Sequence, residues 1–125
     1  MPNPVPAVKT VAEVKRIVTE GVVTERAIDS EMDGAREIVF GRWIIDGSVN
    51  LPPHVHSADT IAYCLRGACS FRVGEALDRR ITMGPGDYVF IPAGTKHTEE
   101  TGQDEVELIF ARDRQGGSTE FLEDA

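Results

Sequence analysis

Short β-rich runs separated by turn residues recur along most of this chain and limit the folds open to it. From residue 36 onward, six runs are rich in β-branched and aromatic residues, and each is bounded by Gly, Pro, Asn or Asp. These runs are 37–46, 60–65, 69–73, 80–83, 87–91 and 106–112. No long amphipathic helix pattern accompanies them, and a parallel α/β fold would need crossover helices. The pattern predicts an all-β fold, a closed or nearly closed antiparallel barrel or sandwich.

The N-terminal part of the chain carries weaker signals. Residues 10–13, TVAE, could open a short helix as a capping box, but the β-branched runs 17–19 and 22–24 favour strands. Turn-like residues follow at 29–30 and 33–34. We expect residues 1–10 to form a flexible N-terminal tail, 11–115 a single domain in which 15–28 can act as an arm strand, and 116–125 a C-terminal tail.

Composition excludes several partner classes. The 125 residues suffice for one domain, and no apolar run approaches the ~20 residues that cross a bilayer. With 21 acidic against 13 basic residues, the net charge of −8 has the wrong sign for binding nucleic acid or anionic membranes. The first residues lack the pattern of an export signal. We therefore expect a cytoplasmic protein with no nucleic-acid or membrane partner.

Two cysteines, Cys64 and Cys69, flank a turn-like stretch at 66–68, RGA, which predicts a hairpin there. The sequence has no further cysteine with which to build a zinc or iron–sulfur set. We expect both to be free, half-buried thiols, and a disulfide across the hairpin is the alternative.

Two of the three histidines, His54 and His56, are separated by one residue. In a strand, side chains two residues apart point to the same face, so both imidazoles can reach one metal ion. Taken alone, the pair fits equally well with exposed or hydrogen-bonded strand histidines. The third histidine, His97, lies in a more specific pattern.

Residues 86–97, GDYVFIPAGTKH, resemble the second motif of the cupin superfamily, G-x5-P-x-G-x2-H. Its fixed positions are filled by Gly86, Pro92, Gly94 and His97. Residues 47–67 resemble the first cupin motif, at Gly47, His54, His56 and Gly67. Thr60 stands where cupins usually carry a metal-binding glutamate, and Asp59 precedes it. The resemblance extends over residues 38–111.

This resemblance implies a small single-domain cupin, a double-stranded β-helix or jelly-roll barrel, occupying residues 11–115. It further implies that the two motifs form two facing β-hairpins, and that His54, His56 and His97 converge on one divalent transition metal ion. We favour Fe(II) as that ion, and Zn, Ni and Mn remain alternatives because sequence does not select the metal.

The missing glutamate has a chemical consequence. Three neutral imidazoles leave a divalent ion its full charge, whereas a site with one carboxylate reduces it, so we expect an anionic or chelating small-molecule substrate. Asp59 could turn inward as a fourth ligand, but neighbouring strand residues face opposite sides and the register favours Thr60 inside. Glu99 and Glu100 could supply a base near the metal, although solvated positions are the more ordinary interpretation.

The candidates for a catalytic role are Thr60, Asp59, Arg42 and Tyr63. Arg42 lies in an apolar strand and needs a partner, either a structural carboxylate, which we favour, or the carboxylate of a substrate. Tyr63 is a strand aromatic for which packing is the alternative to substrate contact.

The function that the resemblance implies is that of a metal-dependent enzyme acting on a small oxygen-bearing substrate, and within this class we favour an Fe(II) dioxygenase. A non-redox isomerase, cyclase, hydrolase or lyase using Zn, Ni or Mn is one alternative, and a non-catalytic cupin that binds a small ligand is the other. The resemblance also implies a homodimer, built by swapping N-terminal strands or by packing sheet against sheet.

Overall fold

The computed structural model describes residues 4–113 and 117–122. Within these ranges the chain forms eleven β-strands and one short helix, α1, Ser30–Asp33. The strands are β1 Lys15–Thr19, β2 Val22–Ile28, β3 Ile38–Ile45, β4 Asn50–His56, β5 Thr60–Arg66, β6 Cys69–Val73, β7 Arg79–Met83, β8 Tyr88–Ile91, β9 His97–Thr101, β10 Val106–Asp113 and β11 Thr119–Phe121. No helix in this part of the chain is long and apolar enough to cross a membrane.

Two antiparallel sheets enclose the core. One has six strands in the order β1-β2-β3-β10-β5-β8, and the other has five in the order β11-β4-β9-β6-β7. The predicted all-β jelly-roll architecture is confirmed. The six β-rich runs of the sequence correspond to β3, β5, β6, β7, β8 and β10. The turn residues around these runs therefore predicted six of the eleven described strands, but not β4 and β9.

The hairpins expected at 66–68 and within the two histidine-bearing segments are not formed. The stretch at 66–68 does not close a hairpin, because β5 belongs to the six-stranded sheet and β6 to the five-stranded one. The two histidine-bearing segments are also not separate hairpins. Strand β4 pairs with β9, and β5 pairs with β8, so each segment contributes one strand to each sheet. The chain crosses from sheet to sheet at these loops, and pairing joins the two segments to each other.

Gly67 permits one of these crossings. Its φ of 80° lies in the left-handed region that glycine adopts without steric cost. A Cβ at this position would lie only 2.5 Å from the backbone oxygen of Glu105. The close approach of the two backbones therefore requires glycine both for its conformation and for its size.

The core between the sheets is apolar and includes both cysteines. Cys64 and Cys69 are free, as expected, and are only 0% and 1% exposed rather than half-buried. Burial raises the pKa of Cys69 to about 12, so its thiol stays protonated. Packed around them are Val39, Ile45, Ala62, Phe71, Met83, Ile91, Val106, Leu108 and Phe110.

The ends of the domain are held by pairing and by a few polar contacts. At residues 10–13 the Thr10 hydroxyl donates to Glu13 over 2.9 Å, as in a capping box, but a turn and not a helix follows. Residues 15–28 form the β1–β2 hairpin, which pairs with β3 of the same chain. At the other end, β11 lies within the segment expected to be a tail and pairs with β4, which covers the edge of the five-stranded sheet.

We predict that Gly67→Ala destabilises the fold far more than Gly86→Ala. Both glycines have left-handed φ values, 80° and 88°, but a Cβ at Gly86 would meet no atom within 4 Å. Gly86→Ala should therefore lose about 1 kcal/mol of unfolding free energy, for the strained backbone alone. Gly67→Ala should lose at least ~3 kcal/mol, because the Glu105 carbonyl must also move. Guanidinium denaturation measures both losses of unfolding free energy. Equal losses would contradict the view that the chain crossing at Gly67 has no room for a Cβ.

Candidate metal centre

The three histidines and Glu99 form a cluster that could hold one metal ion. The potential ligand atoms of His54, His56, His97 and Glu99 all lie within 4.8 Å of one another. Strands β4 and β9 supply all four, and their register places His54 directly opposite His97. His56 and Glu99 follow two residues later on their respective strands. Alternation of side chains therefore directs all four to the barrel interior.

The backbone on either side of the cluster fixes the orientation of two imidazoles. The Nδ1 atom of His54 lies 2.7 Å from the Pro52 oxygen, and the Nδ1 atom of His97 lies 2.8 Å from the Thr95 oxygen. A carbonyl only accepts, so each Nδ1 carries a proton, and in the neutral form of each ring Nε2 presents its lone pair to the centre. Residues 52 and 53 are prolines, which have no N–H to donate to a strand ladder. The β4–β9 register shifts at this point, between Leu51 and His54.

The third imidazole is oriented by the C-terminal strand. His56 Nδ1 lies 2.8 Å from the Thr119 hydroxyl of β11. The Phe121 ring of the same strand lies 5.2 Å from the ring of His54. Outer hydrogen bonds of this kind orient metal-binding histidines in proteins. Strand β11 thus contributes to the site as well as to the sheet.

Glu99 is the acidic member of the cluster, and it departs from the expectation of a site without a carboxylate. Its Oε1 atom lies 3.7 Å from the Nε2 atoms of both His54 and His97. Burial raises the pKa of Glu99, but the two imidazoles outweigh this effect and hold it at about 2. The sequence did carry a signal, because His97 and Glu99 have the same spacing of two residues as His54 and His56.

The donor set fits a divalent transition metal ion. Imidazole nitrogen and carboxylate oxygen bind such ions at about 2.0–2.2 Å, which places neighbouring ligand atoms about 3–4 Å apart. The observed 3.7 Å separations match this spacing. His97 Nε2 is buried and has no hydrogen-bond partner among the described residues. A buried lone pair without a partner is costly, and a cation would satisfy it.

The imidazoles differ in their affinity for protons. Burial opposes protonation of His54, but Glu99 overcomes it and raises the pKa of His54 above its ordinary value. Burial and the nearby Arg112 guanidinium lower the pKa of His56 to about 3. His56 is therefore neutral, the form in which imidazole binds a metal.

Arg112, at the end of β10, is a further residue of the site, and it is not among the candidates that the sequence indicates. Its Nη2 atom lies 3.2 Å from His56 Nε2, and its Nε atom donates to the Thr60 hydroxyl over 3.0 Å. The guanidinium lies over the Trp43 ring, 5.0 Å from its centroid, and Trp43 stacks on Phe110 at 3.9 Å. No motif marks this arginine, which reaches the site because β10 lies beside β5 in the sheet.

The neighbouring candidates Thr60 and Asp59 face opposite sides, as alternation requires. Thr60 is buried and binds Arg112, so it lies next to the cluster without belonging to the donor set. Asp59 is exposed, and its carboxylate accepts from the Ala93 N–H over 2.8 Å. The hypothesis of Asp59 as fourth ligand does not agree with this structure, because its side chain secures a loop on the opposite side.

Arg42 and Tyr63 lie away from the cluster. Arg42 pairs with Glu25 at 2.8 Å and with Glu107, in line with the structural role that we favoured. These three residues come from β2, β3 and β10, so their charges link three adjacent strands. Tyr63 packs on Tyr88, 4.8 Å between ring centroids, and lines an outer groove.

A cavity of about 470 Å³ opens onto the cluster. Its walls carry apolar side chains from β2, β3, β4 and β11, and its charged residues are Glu20, Glu99 and Arg112. A volume of this size suits a small organic molecule. Its larger apolar lining residues are Val22, Trp43, Ile45, Leu51 and Phe121.

Comparison with known proteins assigns the family. The model of the cupin domain matches residues 42–111, more than half of the chain. The chain therefore belongs to the cupin family, as its two histidine motifs indicated.

Individual relatives show how widely this fold is used. Acireductone dioxygenase 4 from Arabidopsis thaliana is 46% identical over 46 residues, which span 35% of this chain and 25% of that protein. The polyketide cyclase RemF from Streptomyces resistomycificus superposes with a TM-score of 0.81 at 20% identity, covering 97% of this chain and 88% of the cyclase. Oxalate decarboxylase from Bacillus subtilis gives 0.76 at 15% identity, covering 95% of this chain and 34% of that one. The two structural matches show the fold alone.

We predict that Glu99→Gln weakens metal binding and that Glu100→Gln does not. The amide keeps the shape of Glu99 but removes the anionic donor, so the dissociation constant for Zn²⁺ should rise at least ~10-fold. Glu100 lies on the other face of β9, where it contacts Arg72 and Arg80 at 3.3 and 3.9 Å. Competition against a chromophoric chelator measures both constants, and an unchanged constant in Glu99→Gln would remove Glu99 from the donor set.

Proposed function

We propose that this chain is a metal-dependent enzyme acting on a small oxygen-bearing organic substrate. In this proposal His54, His56 and His97 hold one divalent transition metal ion, and Glu99 completes the donor set. The observation that carries it is the convergence of the four donors, three of which line a cavity large enough for a small organic molecule. Four protein donors leave positions of a six-coordinate ion open to substrate.

Within this class we favour an Fe(II) dioxygenase. The local identity to an acireductone dioxygenase supports this choice, although it covers only a quarter of that protein. When bound, iron would supply the redox chemistry with O2. The chain itself would bind and orient the substrate, with Trp43 and Phe121 excluding water from one side of the cavity. Glu99, held ionised, would balance part of the charge of the ion.

A non-redox cyclase, isomerase, hydrolase or lyase is the second candidate, with Zn, Ni or Mn as the metal. The observation that favours it is the match to a polyketide cyclase over nearly the whole length of both chains. In this case the same donors would hold a Lewis acid that polarises a carbonyl or enol oxygen of the substrate.

Metal analysis and oxygen uptake distinguish the two candidates. Protein purified without chelator should contain one equivalent of transition metal per chain, and iron-loaded protein should consume O2 with a β-diketone or catechol from a test panel. Glu99→Gln should retain less metal and consume O2 more slowly than the parent, and Glu100→Gln should match the parent in both properties. Turnover of the panel under nitrogen would favour the non-redox candidate, whereas absence of bound metal would overturn the proposal.

We also propose that the chain forms a homodimer through the outer face of the six-stranded sheet. This face carries a groove of about 410 Å³ with almost entirely apolar walls. Tyr88 and Phe90 are 79% and 59% exposed there, although large aromatic side chains are usually buried. The remaining lining residues include Phe40, Ile61, Tyr63 and Ile109. A second copy on this face would cover them.

We predict that Phe90→Glu yields a monomer, because the charge would be buried in the interface. The matched control is Val18→Glu on β1, an exposed apolar residue at the sheet edge, where an interface made by N-terminal arms would lie. Light scattering should show a dimer for the parent and for Val18→Glu. Dissociation by Val18→Glu instead would identify the arm as the interface, and a monomeric parent would contradict the dimer altogether.

The cytoplasm is the compartment that we propose for this activity. Cys64 and Cys69 are free in the structure, and unpaired thiols are typical of proteins in a reducing compartment.

A further inference from the structure

We infer that Arg112 is the anion-binding residue of the cavity. Without a metal ion its guanidinium is hydrogen-bonded to His56, and a metal ion that binds His56 replaces it there. This inference rests on the proposed metal site and adds to it the chemical class of the substrate, a small organic carboxylate or enolate. It starts from the contact between a guanidinium and one of the metal-binding candidates.

The contact uses a lone pair that a metal would also need. Arg112 Nη2 lies 3.2 Å from His56 Nε2, and a guanidinium has only donors. His56 Nε2 must therefore accept, and Nδ1, 2.8 Å from the Thr119 hydroxyl, carries the proton. A single lone pair on Nε2 serves either the guanidinium or a cation. Metal binding at His56 thus releases one edge of Arg112.

The released guanidinium is left with no carboxylate in direct contact among the described residues, and Glu99 acts on it only at longer range. Among the residues at 4–113 and 117–122, its contacts are His56, the Thr60 hydroxyl and the faces of two aromatic rings, with no salt bridge to a carboxylate. Thr60 and Trp43 still hold the guanidinium in place when the Nε2 lone pair of His56 binds a metal ion instead. A largely buried cation without a carboxylate is costly, and an anion from solution would satisfy it.

The position of Arg112 specifies how such an anion would lie. Arg112 and three of the candidate ligands, His54, His56 and Glu99, line the same cavity. A planar carboxylate or enolate can accept two hydrogen bonds from a guanidinium, and its body would lie against Trp43. Because the metal frees the arginine and the anion stabilises it, the two ligands should bind cooperatively.

Arg112→Gln tests this inference with malonate as the probe anion and Zn²⁺ as the metal. In buffer without other coordinating anions, removal of the competing charge should tighten Zn²⁺ binding several-fold. In the zinc-loaded protein, malonate should bind at least ~10-fold more weakly than to the parent, because a charge-assisted pair is lost. Arg112→Lys, which keeps the charge without the planar guanidinium, should bind malonate more weakly than the parent and more tightly than Arg112→Gln. Isothermal titration calorimetry measures both ligands.

Arg112→Gln is expected to tighten Zn²⁺ binding and to weaken malonate binding. These opposite changes distinguish an anion-binding Arg112 from a structural one. A purely structural Arg112 would weaken zinc and malonate together, and that result would overturn the inference. Unchanged malonate binding in Arg112→Gln would also overturn it while leaving the proposed metal site intact. A parent protein that binds no metal would end both proposals. Arg79→Gln, at an exposed arginine of β7, should behave like the parent in both titrations, and circular dichroism checks that each variant is folded.

Discussion

The pairing of β4 with β9 is the interaction on which the site depends. It places His54 opposite His97, and strand alternation then brings His56 and Glu99 to the same side. A slip of one residue would turn the ligands of one strand away from the centre. The register is interrupted between Leu51 and His54, where the prolines cannot donate. The Pro52 carbonyl, next to this interruption, accepts a hydrogen bond from His54 Nδ1.

Burial and charge are balanced around this pairing. Four donors and one guanidinium converge in a space where an unmatched charge is costly. Glu99 is held ionised by two imidazoles, while His56 is held neutral by burial and by Arg112. The result is a cluster with one anion, one cation and an inward Nε2 on His97 that has no hydrogen-bond partner in the part of the chain that the structure describes. This arrangement is chemically suited to exchange the guanidinium for a metal ion at one ligand.

The two faces of the six-stranded sheet serve different purposes. On the inner face, Trp43 and Phe110 stack and support Arg112. On the outer face, a series of ion pairs runs from Arg16 through Glu25 and Arg42 to Glu107, and it joins four strands. Beside it lies the apolar groove between β8 and β3. Arg42 and Trp43 are adjacent in sequence, but strand alternation directs them to opposite faces of the sheet. Arg42 therefore belongs to the outer ion pairs and Trp43 to the inner aromatic stack.

The sequence alone determined the all-β architecture, the cupin motifs and the three histidines, because these depend on local turn chemistry and on a spacing of two residues. It also placed Thr60 inside and Asp59 outside by the same alternation. Tertiary structure decided that each motif is divided between the sheets, that Glu99 faces the histidines, and that Arg112 and Thr119 reach His56. Residues 56, 112 and 119 come from three strands that meet only when the barrel closes, and no local pattern records which strands will be neighbours.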